Sequence, residues 1–158
     1  MGHEIIAAKD NVIKIFEELK NNYKDYKFRF GCVFYRDKID EKSDKDEYFQ
    51  FTDNIKDLKN KIGTVKPYGG GDTPEDWVGG YDIALNKMKW KDDGIKLIIH
   101  IADAGAHGTE FSEGDNHPEQ GKLLPPKIKD CVERNINIIG FKINSEPKQS
   151  FEKISEFI

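Results

Sequence analysis

Ile95-Lys96-Leu97-Ile98-Ile99-His100-Ile101-Ala102, followed at once by Asp103-Ala104-Gly105, is the stretch on which the reading of this chain turns. The run is almost continuously apolar, the pattern of a strand buried on both faces of a parallel sheet. It ends in an aspartate, and ligands of open α/β sheets bind beyond the carboxyl ends of such strands. Working outward, Ile136 to Ile143 is a second apolar strand, and a helix over 125–135 with Ile128, Cys131 and Val132 inward lies before it. Asn135 ends that helix. Pro147 opens a final helix that turns Phe151, Ile154 and Ile158 inward.

Upstream, Gly69-Gly70-Gly71-Asp72-Thr73-Pro74-Glu75-Asp76 feeds another helix. Thr73 is positioned as its N-cap, Pro74 as its first residue and Asp76 as the reciprocal partner of a capping box. Trp77, Val78, Tyr81, Ala84, Leu85 and Met88 would form its buried face. Gly79-Gly80 costs about 1 kcal/mol per glycine against Ala, which close approach to a neighbour would explain. Near the start, Ile5, Ala8, Val12, Ile15, Phe16 and Leu19 share one face of a helix over 3–22. Residues 28–35 read as a strand, 37–47 as a charged loop, and 47–52 as a short edge strand, reached by a short loop and so antiparallel. Asp53 is placed to cap a short helix with Ile55, Leu58 and Ile62 inward, which Gly63 ends. The loop from Asp103 to about Gly121 is long and rich in Gly, Asp, Glu and His, as functional loops are. Helices alternating with apolar strands give one α/β domain over 1–158, a doubly wound, mostly parallel sheet flanked by helices.

Composition narrows the function classes. The 158 residues carry a net charge of −4 with acids and bases interspersed, which argues against nucleic acid as a partner. No apolar run reaches spanning length, so no membrane helix is expected. Cys32 and Cys131 sit in apolar-periodic segments and read as buried thiols of a reducing, cytoplasmic compartment.

Gly31-Cys32-Val33-Phe34-Tyr35-Arg36-Asp37, Gly69 to Asp76, Gly79-Gly80 and His100-Ile101-Ala102-Asp103-Ala104, in that order and spacing, resemble a von Willebrand factor A domain. The likeness is to the branch found beside alpha-type protein kinases, and it covers nearly the whole chain. It implies a Rossmann-like fold and a metal-ion-dependent adhesion site with three parts: an Asp-x-Ser/Thr-x-Ser loop after the first strand, a later threonine, and an aspartate ending the fourth strand. By this likeness Thr73 is the second part and Asp103 the third. The first part does not occur here, so the resemblance implies a domain partial at both ends. Its first, central strand would lie upstream of Met1, between the 28–35 strand and the Ile95 strand. Without that strand, unpaired N–H and C=O groups on the two facing edges would each cost roughly 1–3 kcal/mol if kept dry.

Two groups then need weighing. Thr73 is either a metal-ligating hydroxyl or a plain cap, and Asp103 either a ligand or a loop-capping carboxylate. Mg²⁺ keeps several waters and needs few carboxylates, so a hydroxyl with an aspartate suits it. The expectation is a non-catalytic protein-interaction module. In it, Mg²⁺ on Thr73 and Asp103 presents an open position to an acidic side chain of a protein partner, and Asp37, Asp72 and His107 form the rim. Two alternatives belong to other classes. One is a divalent-metal hydrolase using Asp103, His107, Asp115 and His117, although no helix fixes their spacing. The other is a degenerate, metal-free scaffold. His100 reads as a hydrogen-bonded core histidine. The glycine loop lacks the lysine of a phosphate-binding loop.

Overall fold

A computed structural model of the chain describes residues 2–36, 47–66, 73–112, 115 and 117–158, with side chains from residue 9 onward. Along the chain come α1 (Gly2–Asn22), β1 (Phe30–Phe34), β2 (Glu47–Thr52), α2 (Ile55–Thr64), α3 (Trp77–Asn86), β3 (Lys96–Ala102), a 3₁₀ turn (Pro118–Lys122), α4 (Leu124–Glu133), β4 (Ile136–Lys142) and α5 (Lys148–Ser155). The architecture is mixed α/β. The 3₁₀ turn lies inside what the sequence shows only as a long loop.

β1 and β2 pair antiparallel, Val33 opposite Tyr48, as expected. α1 and α2 cover one face of this pair. Ile13, Phe16, Phe30, Leu58 and Ile62 close a first core, with the Phe16 and Phe30 rings stacked at 4.2 Å. The α2 cap is Asn54, not Asp53: the Asp57 N–H donates to Asn54 Oδ1 at 3.1 Å. Three cap-capable residues stand in a row at Thr52-Asp53-Asn54, and Thr52 Oγ1 already accepts from the Asn54 N–H. Gly63 falls within the helix, which ends at Thr64.

β3 and β4 pair parallel from Lys96↔Ile136 to Ala102↔Lys142. Trp77, Tyr81 and Leu85 of α3, Leu124, Ile128 and Cys131 of α4, and Ile154 of α5 pack with Ala102 and Ile136 into a second core. Side chains alternate across a sheet, so the register puts Leu97, Ile99 and Ile101 on the opposite face together with Ile139 and Phe141. That face is open: Leu97 is 39%, Ile139 45% and Phe141 48% exposed. The apolar runs therefore do not mark strands covered on both faces here, because all three helices beside this pair pack on one side. Ile158, expected inward, is exposed beyond the end of α5. Asn135 does end the α4 segment, in the left-handed region at φ 54°.

Among the described residues the strands form two two-stranded sheets, and β1 and β3 do not pair. α3 joins the two halves instead. A Cβ at Gly80 would stand 2.7 Å from Tyr35 Cδ1, just past β1. On the other half, Trp77 and Tyr81 of the same helix lie against His100 of β3. The glycine accounts for this approach, since any side chain at 80 would hold the helix off. No helix among the described residues is long and apolar enough to cross a membrane. Cys32 and Cys131 are both free thiols; Cys131 is buried as expected, whereas Cys32 is only partly buried.

Candidate functional site at the carboxyl end of the parallel strands

β3 delivers Asp103 to the end of the sheet, where the Ile143 N–H closes the ladder on Ala102 O at 2.9 Å. The chain then turns back along the segment that precedes α3. Glu75 and Ala106 form a parallel bridge. The Glu75 N–H donates to Gly105 O at 2.8 Å, and the His107 N–H donates to Glu75 O at 3.3 Å. These bonds fix residues 73–76 beside residues 103–107.

They also set where α3 can begin. Glu75 is committed to an extended pairing, so the helix starts only after it, at Trp77. Asp76 is the N-cap: its Oδ1 accepts from the Gly79 N–H at 2.7 Å. The expected cap at Thr73, with Pro74 as first helical residue and Asp76 three residues on, is corrected accordingly. Thr73 is exposed at this end of the molecule, Pro74 is buried, and Asp103 is partly exposed. Asp37 and Asp72, expected on the rim, lie outside the described residues.

Behind this surface sits a buried aromatic and imidazole cluster. His100 Nε2 meets the Tyr35 hydroxyl at 3.0 Å and Nδ1 meets the Tyr81 hydroxyl at 3.2 Å. The Trp77 ring lies edge-on at 4.2 Å and the Phe151 ring at 5.2 Å. Burial pulls the His100 pKa down to about 3. The ring is therefore neutral, accepting at one nitrogen and donating at the other. The sequence placed His100 in a hydrogen-bonded core, and the structure agrees. Its partners were not recognised, although Tyr35 and Tyr81 both fall on apolar-periodic faces. Burial also raises the Tyr35 phenol well above its usual value, and the charge of Glu75, then Tyr81, Asp103 and Asp76, raises it further. Three carboxylates from two segments thus act on one buried hydroxyl.

His107 does not reach the rim. It is 1% exposed, and its Nδ1 lies 2.7 Å from Asp115 Oδ1. Asp115 also accepts from the backbone N–H groups of Gly108 and His117. Burial alone would raise this carboxyl, but the hydrogen bonds from His107, His117 and Gly108 outweigh it and hold the pKa below the ordinary value. His117 stacks edge-on against His107 at 5.0 Å, with its Nδ1 3.9 Å from Glu119. His107, Asp115 and His117 are thus engaged with one another. Among the described residues no group of three or more His, Cys, Asp or Glu side chains could hold a metal ion. The set Asp103, His107, Asp115 and His117 required by a hydrolase is not assembled.

A cleft of about 220 Å³ opens beside Thr73. Pro74, Gly105 and Phe111 form its apolar part, and Ser112, Glu146 and Gln149 its polar part. Ser150, fully buried, braces it by donating to Phe111 O and accepting from the Ala106 N–H, both at 2.9 Å. No feature of the sequence pattern singles out Ser150, Glu146 or Gln149, which lie around the start of α5.

Fold and site together define a mixed α/β chain with a polar surface beyond a parallel strand pair. No known protein-family profile matches the chain. It is similar to a protein of Dictyostelium discoideum named alpha-protein kinase vwkA, 34% identical over 148 residues. That alignment takes in 91% of this chain but 23% of the relative, so the chain spans about a quarter of the length of the protein it matches.

Proposed function

We propose that this chain is a non-catalytic protein-interaction module of the von Willebrand factor A type. Its two sheets belong to one doubly wound layer, and Thr73 and Asp103 contribute to a Mg²⁺ site that a partner's acidic side chain completes. The observation that carries this reading is the pairing of Glu75 with Gly105, Ala106 and His107. It holds the Thr73 segment and the Asp103 segment together at the carboxyl end of β3. The donors fit the ion: a hydroxyl and a carboxylate are hard oxygen ligands, and the carboxylates that raise Tyr35 favour a cation there. When bound, Mg²⁺ would supply an electrophilic position for a carboxylate. Thr73 and Asp103 would orient it, and Glu75 and Asp76 would add negative potential.

The likeness to a protein named as a kinase supports an intracellular, cytoplasmic setting beside kinase chemistry. The part aligned is a minor share of that relative. We therefore assign this chain recognition rather than phosphoryl transfer, with a protein and not a nucleic acid or a membrane as the thing recognised. The metal-free scaffold is the reading to be displaced.

Thermal denaturation of the full chain with Mg²⁺, Mn²⁺ and Zn²⁺ is the test. Stabilisation by Mg²⁺ or Mn²⁺ that disappears in both Thr73→Ala and Asp103→Ala is expected. No response to Mg²⁺ or Mn²⁺, or a response unchanged in both variants, would refute the metal site and leave the scaffold.

A further inference from the structure

We propose that the cleft beside Thr73 is a subsite for a cationic side chain, lysine or arginine, of a protein partner. The partner's being a protein rests on the interaction-module reading above, but the cleft's preference for a cation does not involve the metal. Size is the first argument. A volume of about 220 Å³ is below the roughly 300–1,000 Å³ usual for small-molecule and cofactor sites, yet it suits one long side chain.

Charge is the second argument. Among the described residues Glu146 is the one ionised group lining the cleft, and no lysine, arginine or histidine of them lines it. Among the described residues Glu146 has no ion-pair partner, and nearby Lys148 is engaged by Glu152 at 3.7 Å. The other polar groups are available as acceptors. Ser112 Oγ donates its proton to Ala106 O at 2.8 Å, so it turns only lone pairs outward. Gln149 Nε2 donates to Glu110 O at 3.1 Å, which leaves its amide oxygen as an acceptor. A carboxylate with a ring of acceptors is complementary to an ammonium or guanidinium group, which has donors only.

The apolar part of the cleft is small, since Pro74 is buried and Phe111 is 1% exposed, so the exposed Glu146 and Gln149 make the main contacts with the charged head. The cleft is also held in shape before any ligand arrives. Ser150 ties Ala106 to Phe111 across it. A Cβ at Gly105 would collide with Ser112 Oγ and Ser150 Oγ, so only glycine lets the backbone run this close to both. Preorganisation lowers the cost of binding.

The test is an amide-resonance titration of the full chain in EDTA, which removes any metal contribution. The probes are acetyl-arginine methylamide and acetyl-lysine methylamide, with acetyl-glutamine methylamide as the neutral control. Saturable shifts at Gly105, Ser112 and Gln149 are expected with the cationic probes and not with the control. Glu146→Gln, an exposed substitution outside the core, should weaken them at least three-fold. Absence of shifts, equal shifts with the neutral probe, or unchanged binding in Glu146→Gln would each overturn the proposal. Because EDTA is present, failure of the Mg²⁺ site leaves this outcome unaffected, and the reverse also holds.

Discussion

Acidification should unfold this protein largely through His100. Its imidazole is buried between Tyr35 and Tyr81 with a pKa of about 3, against 6.5 for the free side chain. The folded state therefore binds a proton less readily than the unfolded chain. The neutral ring's contribution to stability is complete above pH 6.5 and is lost as the pH falls toward about 3. Each pH unit over which the two states differ by one proton is worth about 1.36 kcal/mol. Going from pH 7.5 down to about 4.5 should thus remove about 2–3 kcal/mol through this one residue. His100→Gln keeps a donor and an acceptor between the tyrosines but cannot titrate, and it should be less stable at neutral pH because the fit is poorer. The informative quantity is the slope. Urea denaturation at a series of pH values should give a wild-type curve that falls more steeply than the variant's below pH 6.5. In parallel, the His100 ring resonances should stay in the neutral form down to about pH 4. Parallel stability curves for the two proteins, or a His100 resonance titrating near 6.5, would refute the reasoning.

Three further outcomes follow from the same structure. Asp76→Ala removes the α3 cap and should cost about 1–2 kcal/mol in urea denaturation, while Asp76→Asn, still a competent cap, should retain most of the stability. Gly80→Ala sets a methyl against the Tyr35 ring, so an overpacking cost of about 1–3 kcal/mol should exceed the roughly 1 kcal/mol gain in helix propensity; a variant more stable than wild type would contradict the close approach. Asp115→Asn should lower stability at neutral pH by about 1–3 kcal/mol through weakened bonds to His107 and Gly108. Because the Asp115 carboxyl is held below its usual value, its contribution is present above the ordinary carboxylate range and fades as pH falls through the folded value. The gap between Asn variant and wild type, read by thermal denaturation, should therefore narrow in strong acid.

The elements that could be read from sequence are those fixed by long-range burial. The continuous run Leu97 to Ala102 and its counterpart from Ile136 each carry enough apolar area to be strands in any plausible packing. The antiparallel pairing of β1 with β2 was likewise read from the chain, whose charged link favours a hairpin. Asn135 was legible because few residues accept φ 54°. Helix starts were not. Thr73 and Asp76 are both good caps, and the choice between them is made by Glu75, whose backbone is drawn into a pairing with residues 105–107. That pairing leaves no trace in local composition. The open side of the β3–β4 pair was misread for a related reason. Continuous hydrophobicity reports what a strand can bury, whereas coverage depends on where the helices go. In the candidate site, the position of Asp103 just past the end of β3 was legible. The mutual engagement of His107 and Asp115 was not, since eight residues of loop carry no periodicity from which a contact can be inferred.

The helix shared by the two ladders has a mechanical consequence. Among the described residues no backbone bonds run from β1 to β3, and the halves are pinned through α3, the Tyr35 hydroxyl on His100, and Gln50 on Lys87 and Lys89. A force or a ligand that loosened this pin would uncouple two cores that otherwise melt together, and calorimetry would then record two endotherms in place of one. Because the start of α3 is set by the same Glu75 pairing that holds residues 105–107, occupancy at the rim of the sheet would be felt as a change in how tightly the two lobes are bolted.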